Sequence, residues 1–68
     1  RINARARAGA AMVEAREAVK KAQTVLRHAG GKSRRETAGQ ALAAAEERLR
    51  QAESDYQAAR AAEQAVTS

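Results

Sequence analysis

Few residues in this chain have the types and spacing that chemistry requires. Gly31-Lys32-Ser33 ends like a phosphate-binding loop. The full pattern asks for a glycine where Leu26 stands and for a strand before it, and the flanking sequence offers neither. His28 is the single histidine, with no ligand partners at metal spacing. Glu46, Glu47, Glu53 and Asp55 bring four carboxylates close in sequence. Their spacing instead suits pairing along a solvated helix face, as between Glu46 and Arg50 at i, i+4. General acid–base work needs convergent groups in a pocket that perturbs them. With no cysteine, both a disulfide and a thiolate zinc site are excluded. The chain is therefore expected to have no catalytic, metal or cofactor site and no small-molecule substrate.

One kind of chemistry survives: anion recognition. The formal charge is +5. Residues 1–32 carry eight basic and two acidic side chains, and residues 33–68 carry five basic and six acidic. Arg1, Arg5 and Arg7 cluster near the start, while Arg27, His28, Lys32, Arg34 and Arg35 surround the central glycines. Cations in the last turn of a helix favour the negative end of its dipole. Arg34 and Arg35 stand at the opposite, positive end of a second helix, where the dipole disfavours them. Backbone amides there, with Arg27, Lys32, Ser33, Arg34 and Arg35, form a candidate seat for phosphate, carboxylate or nucleic acid. Aromatic platforms for bases are missing apart from Tyr56.

The elements that would carry these residues are all helical. Ala, Arg, Glu, Gln and Lys dominate, and no proline interrupts them. The strong break is Gly30-Gly31, read as a left-handed C-cap, followed by Ser33-Arg34-Arg35-Glu36, read as a capping box. The sequence thus predicts helix 1 at about 3–29, a turn at 30–33 and helix 2 at about 34–66. Gly9 and Gly39 fall inside these helices, where close backbone approach would account for them.

Heptad spacing is clean in both segments. Ala4, Ala8, Ala11, Ala15, Ala18, Ala22, Val25 and Ala29 alternate steps of four and three. Ala38, Leu42, Ala45, Leu49, Ala52, Tyr56, Ala59, Glu63 and Val66 do the same. The expected fold is all-α: an antiparallel two-helix hairpin whose seam is an Ala-rich coiled coil. The favoured register sets Ala11 opposite Tyr56, Ala18 opposite Leu49 and Val25 opposite Leu42. A tight turn capped at Ser33 would shift it by about half a layer. Glu63 takes a seam position and is expected to pair with Arg1, Arg5 or a neighbouring chain.

Of the 30 hydrophobic residues 20 are alanine, so a chain of 68 residues has little with which to build a core. Met12, Val19 and Leu26 form a second apolar line beside the seam of helix 1, and one partner helix cannot cover so wide an arc. They are expected to face a protein partner, completing a bundle of three or more helices by self-association or by docking on a parent assembly. Beginning on Arg1 rather than Met, with no stop signal after Val66, the chain reads as a segment of a longer protein. No apolar run approaches the roughly 20 residues that a membrane span requires, and no signal-peptide pattern is visible. The function expected is protein interaction, with nucleic-acid binding through the basic clusters as the alternative.

Overall fold

The computed structural model describes residues 3–67, and side chains for residues 3–65. Arg1, Ile2 and the Val66 side chain therefore lie outside the described residues, as do the readings that involve them. Asn3 starts the first helix. Its backbone is extended, at φ −78° and ψ 169°, and its side-chain oxygen accepts from the Ala6 amide at 2.8 Å. Its carbonyl accepts from the Arg7 amide at 3.1 Å. This N-cap satisfies one of the amides that a helix start leaves orphaned, an effect of about 1 kcal/mol. Helix α1 then runs Ala4–His28, with Arg27 and His28 in its last turn.

The turn is tighter than the sequence implies. Ala29, not Gly30, leaves the helix, in an extended conformation with its amide donating to the Leu26 carbonyl at 3.2 Å. Gly31 is the left-handed residue, at φ +86°. Its carbonyl accepts from the Arg35 amide at 3.1 Å, which makes it the residue that opens the second helix. Helix α2 therefore spans Lys32–Thr67 and begins two residues earlier than expected. Ser33 lies inside its first turn, so the Ser33–Glu36 capping box does not form; instead the Ser33 carbonyl accepts from Thr37 Oγ1 at 3.1 Å.

The two helices pack against each other along an elongated shape of 55 × 18 × 14 Å. The long dimension matches the roughly 54 Å expected of a 36-residue helix, so α2 sets the length of the molecule. Three links fix their direction. Tyr56 lies against Gly9, Arg5 Nη1 stands 3.4 Å from Glu63 Oε1, and Arg48 Nη2 stands 3.8 Å from Glu14 Oε2. The first two join the start of α1 to the far part of α2 and the third joins their middles, and so the hairpin is antiparallel.

The seam of α1 runs differently from the alanine line. Ala15 is fully buried, while Ala8, Met12, Val19, Ala22, Leu26 and Ala29 are half-buried at heptad spacing. Ala18 and Gly9 are half-buried beside that line. Ala11 and Val25, expected in the seam, are exposed. Both lines share Ala8, Ala15, Ala22 and Ala29, and a small rotation of the helix chooses between them. Turning Met12, Val19 and Leu26 inward removes more apolar surface than turning in Ala11, Ala18 and Val25, at about 0.8 kcal/mol per buried methylene. The larger side chains decide the phase.

In α2 the buried or half-buried positions are Ala38, Gly39, Leu42, Ala45, Leu49, Ala52, Tyr56 and Ala59. Tyr56 rests on Gly9 rather than opposite Ala11, which puts this contact midway between the favoured register and the tighter alternative. Matching the buried and half-buried positions to within one residue of that contact sets Met12 about level with Ala52, Ala15 with Leu49, Val19 with Ala45, Ala22 with Leu42 and Leu26 with Ala38. Every layer then sets one alanine against one larger residue, which lets two helices lie close without voids. The three most buried residues, Ala15, Ala38 and Ala52, fall opposite Leu49, Leu26 and Met12. Close backbone approach does not explain the helical glycines. A Cβ on Gly9 would sit 3.7 Å from Tyr56 Cε1, an ordinary contact, and one on Gly39 would meet nothing within 4 Å.

Candidate interaction surface

Folding the chain back at Gly31 redistributes its charge. The turn half of the hairpin, residues 18–44, holds Lys20, Lys21, Arg27, Lys32, Arg34 and Arg35 against one acid, Glu36, a net of +5. The open half holds seven basic and seven acidic residues, a net of zero. The whole formal charge therefore sits at one end of the rod.

The ion pairs sit at the other. Among the described residues, Arg5–Glu63, Glu14–Arg48 and Arg50–Glu47 all lie in the open half. The Arg50 Nε also donates to Glu47 Oε2 at 2.7 Å. Gln51 donates to Asp55 nearby at 3.0 Å. Arg27, His28, Lys32, Arg34 and Arg35 are exposed, and Ser33 with them, and none is held in an ion pair. Unneutralised cations at one end give a field that reaches about 8 Å at physiological salt.

Turning the larger residues of α1 inward leaves Val25 outside, 59 % exposed. It forms one wall of an open groove of about 590 Å³ beside the turn. Val25 and Ala29 from α1 and Ala38 and Ala41 from α2 give the groove its apolar lining; His28, Ser33, Arg34 and Thr37 give it a polar edge. Of the five residues in the sequence-derived anion seat, the structure brings Ser33 and Arg34 to this groove. Arg27, Lys32 and Arg35 do not line it, though they surround the same turn. At the α2 N-terminus the Arg35 amide makes the first intrahelical bond, to the Gly31 carbonyl, and the amides before it lie outside the helical ladder.

A second, smaller open groove of about 290 Å³ lies at the far end, between Asn3, Ala4 and Arg5 and Ala59, Ala62 and Glu63. Ala4, Ala11, Ala18 and Val25 repeat every seven residues along α1, and Ala41 and Ala62 fall on one heptad position of α2. The two grooves thus open on the same side of the hairpin, separated by the Glu14–Arg48 pair. Met12, Val19 and Leu26, expected to face a partner, are half-buried beside Ala15 and Ala22 and keep part of their surface exposed. Sequence reasoning did not find this groove, because it assigned Val25 to the seam.

Among the described residues no group of three His, Cys, Asp or Glu side chains could hold a metal ion. No described helix is long and apolar enough to cross a membrane. No family model, curated protein or solved structure matches this chain.

Proposed function

We propose that this chain is a protein-interaction module, a helical hairpin with a coiled-coil seam that completes its core on another helix. One observation carries the reading. Among the described residues every fully or nearly fully buried one is an alanine, and each larger apolar side chain, Met12 through Tyr56, keeps part or most of its surface in water. Burying a Val or Leu side chain fully is worth about 1.5–3 kcal/mol, so much of the available stabilisation is left for a partner to supply. The apolar strip from Ala4 to Val25 and the two grooves beside it offer the surface for that partner. The role is non-catalytic, and it calls for no cofactor, metal or small-molecule substrate.

Native mass in solution tests the proposal, measured by light scattering across protein concentration and at low and high salt. Association that persists in high salt is expected, since burial drives it. A hairpin that stays monomeric and stably folded at every concentration, and that retains no protein partner, would overturn the reading.

The concentration of the net +5 charge in the turn half of the hairpin favours a second reading, in which the hairpin binds nucleic acid there. Affinity would then fall steeply between about 50 and 200 mM salt through counterion release. A gel-shift series at those two salt levels separates the two readings.

A further inference from the structure

We infer that the groove beside the turn receives an acidic amphipathic helix of a partner protein. The inference rests on the interaction-module reading above and names the chemistry of the partner. Three features meet at this one place. The groove lining of Val25, Ala29, Ala38 and Ala41 asks for an apolar stripe, and alanines allow a third helix to approach at the close end of the usual 8–10 Å spacing. The edge formed by His28, Ser33 and Arg34 asks for acceptors that flank that stripe, while the Thr37 hydroxyl already donates to the Ser33 carbonyl. The surrounding half of the hairpin holds all the net positive charge, while the ion pairs lie in the other half. A helix with leucines at heptad spacing and carboxylates beside them satisfies all three.

The other occupants satisfy fewer. A phosphate backbone would use the cations and leave the apolar lining wet. Base stacking is unsupported at this end, since Tyr56, the one aromatic residue, packs on Gly9 far from the turn. A second copy brings its own +5 end, which repels in parallel; laid head to tail it presents a half with no net charge and gains no attraction. The open groove suits an elongated stripe rather than an enclosed small molecule.

The probe is a capped synthetic helix about three heptads long, with leucine at its apolar positions and glutamate beside them. A matched peptide carries lysine in place of glutamate, and a short DNA duplex is the third arm. Fluorescence anisotropy on the full chain is expected to show saturable binding of the acidic peptide and none of the basic one. Val25→Glu, which places a carboxylate against the incoming carboxylates, is expected to weaken binding by at least about tenfold. Arg34→Glu should weaken it and flatten its salt dependence. Val13→Glu is the control: Val13 is also exposed, lies outside the groove, and should bind as the parent does. Circular dichroism on each variant checks that the helices remain. Failure of the acidic peptide to bind, or equal binding by Val25→Glu, overturns the inference. So does DNA binding that displaces the acidic peptide, since the site would then be for nucleic acid. Dimerisation abolished by Val25→Glu would make a second copy the occupant, ending this inference while leaving the interaction-module reading intact.

Discussion

Gly9 and Gly39 test the packing of the hairpin more directly than any large residue. Both sit inside helices, where glycine costs about 0.8–1.0 kcal/mol relative to alanine. At Gly39 an added Cβ meets nothing within 4 Å, so Gly39→Ala should return the full propensity term, about 1 kcal/mol. At Gly9 the new methyl would stand 3.7 and 3.9 Å from two carbons of the Tyr56 ring, adding favourable contact without a clash. Gly9→Ala is therefore worth about 1 kcal/mol or slightly more. Gly9 lies level with Tyr56, seventeen residues along α2 from Gly39 (56 − 39), about 26 Å at helical rise, so the effects should add to about 2 kcal/mol. In a chain of this size each kcal/mol raises Tm by about 4–8 °C, which puts the double variant about 8–16 °C higher. Thermal melts followed by circular dichroism measure this, at one fixed protein concentration because assembly couples to stability. Loss of stability in Gly9→Ala would mean that the helices meet more tightly there than the Tyr56 contact allows, and the register drawn from that contact would fall with it. Loss in Gly39→Ala would mean that something packs on a surface that is open in the isolated hairpin.

Gly31→Ala should act in the opposite sense. At φ +86° an alanine side chain is strained, and the urea midpoint should fall by the equivalent of about 1–2 kcal/mol with an unchanged slope. The neighbouring pair Val25 and Leu26 reports the phase of α1. Leu26→Ala should cost about 1–2 kcal/mol in urea unfolding because that side chain is half-buried in the seam, whereas Val25→Ala, mostly exposed, should stay within about 0.5 kcal/mol. The reverse order would return Val25 to the seam and close the groove on which the docking argument stands.

The hairpin was legible in the sequence because Gly30-Gly31 interrupts two long stretches of good helix formers with uninterrupted heptads. The phase of α1 was not. Ala8, Ala15, Ala22 and Ala29 belong to both available seams, so counting apolar positions cannot separate Ala11 from Met12 or Val25 from Leu26. Only side-chain volume separates them, and its effect depends on which alanines stand opposite, information that arrives with the register. Ser33 and Glu36 carry the residues of a capping box, yet a left-handed Gly31 starts the helix before Ser33 can cap it. Asn3 was a legible cap that heptad counting passed over. The charge asymmetry is partly written in the chain, as +6 before residue 33 and −1 after it. Folding at the turn converts that division along the sequence into a division along the rod, and this second division gives the groove its cationic surroundings.

Glu63 is where the argument about specificity can be tested most sharply. It continues the seam spacing of Leu49 and Tyr56, a position that favours a large apolar residue, and it reaches Arg5 at 3.4 Å. Both side chains remain about half exposed, at 50 % for Arg5 and 46 % for Glu63, so the pair contributes only about 0–1 kcal/mol. A leucine there would trade that for partial apolar burial worth about 1–1.5 kcal/mol. Glu63→Leu should therefore leave the hairpin equally stable or up to about 1 kcal/mol more stable. Its cost should appear elsewhere. A polar residue in an apolar seam restricts which helices can align beside it, because a misplaced partner leaves the carboxylate buried without a cation. With leucine the open end loses that restriction and extends an apolar surface from Ala59 and Ala62. Thermal melts of Glu63→Leu should rise while native mass becomes heterogeneous, with species absent from the parent chain. A less stable variant with unchanged assembly would refute this, and would make the Arg5–Glu63 pair a fastening of the open end with no part in choosing partners.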